Sequence, residues 1–218
     1  MHFLLRNQGL QWSDSWFLLE GSMNTLAVTV LAGLIGTAGG IVLGWLRFAS
    51  GIIRVATSPL IDLARSVPLV VQLVLLSSAL ALAGHAVSPF WLGIFVLSLT
   101  MAVTTSEVVR GGLVAVPRGY RRAARSLGMT YLQELGHVSA PLTINVGLPT
   151  WIGLLISLVK DSALIGVVGY LEFLRSAQIL ITRTNQTLLL LAGIGLFYFL
   201  ICYPVSLYGR RLESRVAE

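Results

Sequence analysis

The chain has 218 residues, of which 56% are hydrophobic and only 11% charged, and its mean hydropathy is +0.84. An ordinary soluble domain carries about a quarter charged residues, so a water-solvated bundle is excluded for want of polar surface. The net charge of +6 and the pI near 10.1 do not indicate a nucleic-acid binder, because the basic residues are not gathered on a solvated fold but fall beside hydrophobic windows.

In chain order, the segment after Arg6 and before Asn24 is interrupted by Gln11, Ser13, Asp14 and Glu20. No short apolar stretch ends there at a small-residue cleavage site, so no cleaved leader is expected. Five windows then approach the roughly 20 apolar residues that a membrane-crossing helix needs: residues 26–46, 59–82, 90–109, 142–159 and 188–207. The first carries Gly33, Thr37, Gly40 and Gly44 at three- and four-residue spacing, a row that lets helices approach closely, within one subunit or between two.

The second window holds Arg65, Ser66, Pro68 and Gln72. Arg65 and Gln72 are seven apart and share a face of a continuous helix, while Pro68 frees a carbonyl near Ala64. These residues line a pore or gate, or else hydrogen-bond between helices. At the end of the third window, Glu107 pairs with Arg110 as a structural contact.

A long polar connection follows, at about residues 110–140. Ala123, Ala124, Leu127, Gly128, Leu132 and Leu135 recur there at helical spacing, with Arg121, Arg122, Arg125 and Glu134 around the rest of the wheel. Pro117 and Gly119 separate this segment from the third window, and Pro141 stands where the next helix begins, a position that tolerates proline. An amphipathic helix resting on anionic lipid has the same charge pattern.

The fourth window ends at Lys160-Asp161-Ser162, with Gly166 and Gly169 beyond, and Lys160 is the only lysine in the chain. Ionisable groups at membrane depth cost roughly 2.5 to 3.5 kcal/mol each on insertion scales, so this interruption marks a solute path, unless Lys160 and Asp161 pair with each other at the outer interface. The fifth window contains Cys202, the single cysteine, read as a small apolar residue.

Arginines set the orientation, since positive charges stay on the cytoplasmic side. Arg47 and Arg54 follow the first window, Arg110, Arg118, Arg121, Arg122 and Arg125 the third, and Arg210, Arg211 and Arg215 the fifth. Only Arg6, Lys160, Arg175 and Arg183 fall on the other side, with Arg65 just inside the second helix near its cytoplasmic end. The N-terminus is expected outside and the C-terminus in the cytoplasm. His2, His85 and His137 have no carboxylate or cysteine at ligand spacing, so no metal site is expected. No serine stands in a nucleophile arrangement, so no catalytic residue is assigned.

From Ala123-Ala124 through Gly128 to Val138 and Pro141, the spacing resembles the EAA loop of ABC importer permeases: Glu-Ala-Ala, three residues, Gly, nine residues, an aliphatic, two residues, Pro. The stretches GSMNTLAVTVLAGLIGTAGGIVLGWLR, ARSVPLVVQLVLL, SEVVRGGLVAVPRGYRRAARSLGM and LVKDSALIGVVGYLEFLRSAQ look like the polar amino-acid uptake permeases of that class, over nearly the whole chain. The resemblance implies an all-α, polytopic type I ABC importer permease: one transmembrane domain over residues 1–218, five transmembrane helices, set in the bacterial inner membrane.

It further implies an EAA segment, here Arg122, Ala123, Ala124, Gly128 and Pro141, that forms a coupling helix seated on a cytoplasmic ABC ATPase. Two ATPase copies, a second permease that is identical or homologous, an extracytoplasmic solute-binding protein and a polar amino acid complete the assembly. The substrate path would run by Arg65, Pro68, Gln72, Lys160, Asp161 and Ser162. The chain lacks a GxxxxGK[ST] phosphate loop, so ATP and Mg are expected on the partner and no cofactor on this chain. The pattern departs at Arg122, where the family has glutamate. An arginine opening a helix costs about 0.3 to 1 kcal/mol against the dipole. It meets an acidic patch on the ATPase, or a second permease carries the fuller motif, or the change is a tolerated surface substitution. Import of another small polar solute by the same architecture, and a membrane docking scaffold without transport, are the alternatives.

Overall fold

The protein, described here by a computed structural model, is seen over residues 9–217, with side chains to 214. His2, Arg6, and with them the opening of the segment read as lacking a leader, lie outside the described residues, as does the side chain of Arg215. The described chain is helical, without strands. It comprises α1 (Trp12–Ala49), α2 (Gly51–Ser66), α3 (Leu69–Leu82), α4 (Pro89–Ala115), α5 (Arg118–Ser126), α6 (Tyr131–Glu134), α7 (Ala140–Asp161), α8 (Phe173–Thr184) and α9 (Thr187–Ala217). A π-helical turn at Leu135–Ser139 joins α6 to α7, and a 3-10 helix at Ser162–Val168 extends α7.

Among the described residues, four helical stretches are long and apolar enough to cross a membrane: Trp12–Ala49, Pro89–Ala115, Tyr131–Val168 and Thr187–Ser214. Each contains one predicted window. The 59–82 window is the exception. It is split between α2 and α3, which meet at 103° across Val67 and Pro68, and the pair makes a fifth crossing only as a broken span. Proline at 68 removes a backbone donor and forces Val67 out of the helical region, and Val67 sits extended at φ −90°, ψ 126°.

Helix directions come from the glycines of α1. A Cβ on Gly36 would lie 2.6 Å from the Met101 Cβ, one on Gly40 2.5 Å from the Thr105 Cβ, and one on Gly44 2.8 Å from the Val109 Cβ. The contacts advance in the same order along both helices, so α1 and α4 run parallel at backbone contact. On the neighbouring face of α1, Gly33 meets Leu158, and the Thr37 hydroxyl accepts from the Trp151 indole at 3.2 Å, so α7 runs antiparallel. The small-residue row therefore packs within the subunit: Gly40 and Gly44 are joined by Gly36 against α4, while Gly33 and Thr37 turn toward α7.

The core, centred on Val28, Ala32, Leu73, Leu97, Met101, Leu158 and Ile165, gathers α1, α3, α4, α7 and the 3-10 helix. Much of the remaining apolar surface faces outward, including Ile35, Val42, Leu75, Leu188 and Leu200, as expected where lipid is the solvent. Trp12, Trp16 and Trp91 are exposed at 92%, 73% and 60%. They stand at the starts of the parallel α1 and α4, where a belt of tryptophans marks a membrane interface. Arg47 and Arg110 collect at the opposite end of the same helices.

Candidate functional site: the arginine-rich segment and the interrupted helices

Beyond α4, Pro117 caps α5 at φ −58° and turns the chain away from the bundle. The continuous helix expected through Leu135 is instead a helix–turn–helix. Gly128 adopts φ +84°, a left-handed conformation that glycine enters without steric cost. The Leu127 and Met129 N–H groups donate to the Ala123 and Ala124 carbonyls, and that of Gly128 to Arg125, which together close the end of α5. Thr130 then starts α6 with a reciprocal cap: its N–H donates to the Gln133 side chain at 2.9 Å, and its hydroxyl accepts from the Gln133 N–H at 3.4 Å.

Two further expectations are corrected here. Glu134 is not on a solvated face; it is 2% exposed and accepts from the Ser139 hydroxyl. Arg122 does not open its helix: it is the fifth residue of α5 and exposed, beyond the first turn where the dipole acts. Ala124 is buried and Ala123 exposed, and Pro141 is the second residue of α7 as expected, also exposed.

The segment is fastened to the bundle through Arg121, whose guanidinium donates to the Leu113 carbonyl of α4 and stacks 4.7 Å from the Phe48 ring of α1. Directly behind lies an ion cluster. Arg47, 5% exposed, donates to Glu107 at 2.6 Å and to the Ser106 hydroxyl at 3.3 Å. Glu107 also pairs with Arg110 at 2.9 Å, as its spacing indicates. Arg47 is visible in the sequence only as a topological charge, since its partner is 60 positions away.

A valine at Gly128 must hold the left-handed conformation at a cost of order 1–3 kcal/mol. Because nothing lies within 4 Å of a Cβ there, the damage stays local: amide exchange rises across residues 118–134 while the melting temperature of the bundle holds.

Of the residues read as a solute path, Arg65, Pro68 and Gln72 belong to the broken span. Arg65 and Gln72 sit on separate helices and share no helical face. The carbonyl freed at Ala64 is taken by the Gln72 amide at 2.7 Å, and the same amide reaches the Val67 carbonyl at 2.8 Å, so Gln72 holds the bend. Lys160 and Asp161 close α7, where the backbone tightens into the 3-10 helix that ends at left-handed Gly169, φ +92°. Lys160 is exposed, Asp161 half-buried and Ser162 buried, and no ion pair joins the first two among the described residues. α3 packs against this 3-10 helix through Leu73 and Ile165, which puts the broken span beside the end of α7. Among the described residues, no hydrogen bond or ion pair joins Arg65 or Gln72 to Lys160 or Asp161.

Sequence reading missed a buried polar cluster at the tryptophan end. Glu172, 1% exposed, caps α8 by accepting from the Leu174 and Arg175 N–H groups at 2.7 and 2.6 Å, with the Tyr198 hydroxyl at 3.5 Å. Thr25 accepts from the Phe173 N–H, and Arg183 of α8 bridges to buried Asp14 of α1. Burial pushes the Glu172 carboxyl up to about 6, against the downward pull of its two backbone donors. A raised pKa favours the folded state when the group is protonated, so this contribution is present below pH about 4.5 and lost as pH rises through about 6. Stability is expected to fall by on the order of 1–2 kcal/mol across that window, a slope that Glu172→Gln removes in melting curves recorded against pH.

Two cavities lie elsewhere. One of about 620 Å³ is bordered by apolar residues of α1, α7 and α9, among them Leu26, Leu155 and Cys202. One of about 580 Å³ opens at the arginine end beside Pro117, Asn145 and Leu212.

Comparison with known proteins agrees with this geometry. Across 94% of its length the chain is 29% identical to the glutamine transport system permease protein GlnP of Escherichia coli strain K12, covering 97% of that protein. It is 30% identical over 92% of both chains to the arginine transport system permease protein ArtQ of Bacillus subtilis strain 168. A crystal structure of an amino acid ABC transporter with histidines superposes at TM-score 0.83 and 28% identity, over 95% of this chain and all of that one. The MetNI methionine ABC transporter in an inward-facing conformation shares the fold at TM-score 0.76 and 24% identity, over 95% and 99% of the two chains. Residues 36–218 match the family described as binding-protein-dependent transport system inner membrane component, and the chain, a multi-pass membrane protein, belongs to that family.

Proposed function

We propose that the chain is the permease subunit of an ATP-driven, binding-protein-dependent importer of a polar amino acid, with the N-terminus outside and the C-terminus in the cytoplasm. The observation that carries this reading is the helix–turn–helix at residues 118–134, held on Arg121 at the arginine-rich end of the bundle with the spacing of an EAA loop. The chain performs no chemistry. It couples through Arg122, Ala123, Ala124, Gly128 and Pro141 to a cytoplasmic ABC ATPase dimer that holds ATP and Mg, and an extracytoplasmic binding protein delivers the solute.

Arg65, Pro68, Gln72, Lys160, Asp161 and Ser162 are assigned to the solute path. Arg65 and Lys160 are exposed on one chain, which suits a path completed by a second permease subunit. Lys160 and Asp161 supply both signs of charge, as every amino acid does. Transport then follows from differential binding: ATP favours one state of the paired permeases and its hydrolysis the other.

Uptake of labelled amino acids into proteoliposomes carrying the permeases, the ATPase and the binding protein tests this reading. Import of one polar amino acid, lost in Asp161→Asn or Lys160→Met while the complex still hydrolyses ATP, supports both the path and the cargo. Uptake of a non-amino-acid solute favours the same architecture with another cargo, and no uptake of any solute favours a docking scaffold.

A further inference from the structure

The nine residues of α5 include four arginines and no acid. Arg121 is spent internally, on the Leu113 carbonyl and the Phe48 ring. The others, Arg118, Arg122 and Arg125, are spaced at four and three and so lie within about 60° of one another on the helix surface. All three are exposed, and none makes an ion pair among the described residues. No acid occurs between Glu107 and Glu134. Glu107 is held by Arg47 and Arg110, and Glu134 is buried with Ser139, so neither neutralises the stripe. Arg125 is steadied by the Tyr131 ring, 5.9 Å away. At the tip beyond the stripe, Leu127 is 81% exposed.

We propose that Arg118, Arg122 and Arg125 form a basic docking stripe for carboxylates on the rim of the partner ATPase groove, with Leu127 entering its apolar floor. This rests on the reading of residues 118–134 as the coupling segment. Arginine suits the task because its planar fork pairs a carboxylate through two parallel hydrogen bonds. Anionic lipid is the other source of negative charge. A helix that lies on lipid, however, needs a broad face of large apolar residues beside its cations, and along its own length α5 offers only Tyr120 and the small Ala123 and Ala124, the last buried inward, while the exposed Leu127 and Leu132 stand beyond its end. The stripe also accounts for Arg122, which takes part in a complementary interface where the resembling motif has glutamate.

The test measures ATPase binding to the permease in phosphatidylcholine nanodiscs, from about 0.05 to about 0.5 M salt, a range over which exposed charge pairs become screened. Wild-type affinity should fall with salt. The triple reversal Arg118→Glu, Arg122→Glu and Arg125→Glu should bind on the order of tenfold or more weakly at low salt, with its salt dependence abolished or inverted. The neutral triple change to glutamine should fall between, which guards against a folding defect in the reversal. Wild-type affinity in the reversed chain overturns the proposal, and so does an effect seen only with phosphatidylglycerol present, which assigns the stripe to lipid. Leu127→Asp separates the two levels of the reading: if it abolishes binding while the arginine changes do nothing, the segment docks without the stripe. If neither change matters, the coupling assignment itself fails.

Discussion

Alanine at position 40 destabilises the permease, while alanine one residue earlier leaves it intact. The added methyl at Gly40 would lie 2.5 Å from the Thr105 Cβ and 2.8 Å from the Ala102 carbonyl of α4, distances that backbone atoms cannot yield to, so α1 and α4 must part. Overpacking of this kind costs about 1–3 kcal/mol, more than the roughly 1 kcal/mol gained by replacing glycine with alanine inside a helix. At Gly39 the same methyl meets the Ala102 Cβ at an ordinary 3.6 Å, and only the gain remains. Melting of the detergent-solubilised protein should therefore drop for Gly40→Ala and hold or rise for Gly39→Ala. Gly40→Leu should fail to accumulate. Equal behaviour of the two alanine variants would show that the helices are not in backbone contact.

Breaking the Arg47–Glu107–Arg110 cluster has the other large effect, and its two halves are unequal. Removing one partner of a buried pair costs about 3–5 kcal/mol. Arg47→Met leaves Glu107 paired with Arg110 and partly in water, its side chain 27% exposed, so the cost lies at the low end. Glu107→Gln leaves the Arg47 side chain, 4% exposed, uncompensated and lies at the high end. The double replacement Arg47→Met with Glu107→Leu should recover much of the loss, because apolar groups of similar volume carry no desolvation penalty, and Arg110 can reach solvent. Thermal stability of the three variants checks the order: Glu107→Gln lowest, the double variant above it. If Glu107→Gln is the mildest, Arg47 is not held by that carboxylate.

Legibility followed the range of each signal. Long apolar windows are local, and four of the five predicted spans are single helices in the structure. The span at residues 59–82 is a broken one, and hydropathy is blind to that break because it carries no backbone geometry; Pro68 marks the place, but a bend of 103° needs the Gln72 amide to hold it. The helical spacing of residues 118–134 is legible in the sequence, yet the turn within them depends on the left-handed conformation of Gly128, which a helical wheel does not carry. Contacts between distant positions left no trace in the sequence. Arg47 with Glu107, Asp14 with Arg183, and Thr25 with the start of α8 join segments between 60 and 169 positions apart.

Solute-dependent ATP hydrolysis addresses the importer reading most directly. The permease, reconstituted with its genomic-neighbour ATPase, partner permease and binding protein, is screened across the amino acids, alongside a Gly128→Val variant. Hydrolysis should rise with one polar amino acid and lose that response when Gly128 is replaced. Hydrolysis indifferent to every solute and to the loop would contradict the coupled importer and leave a docking scaffold.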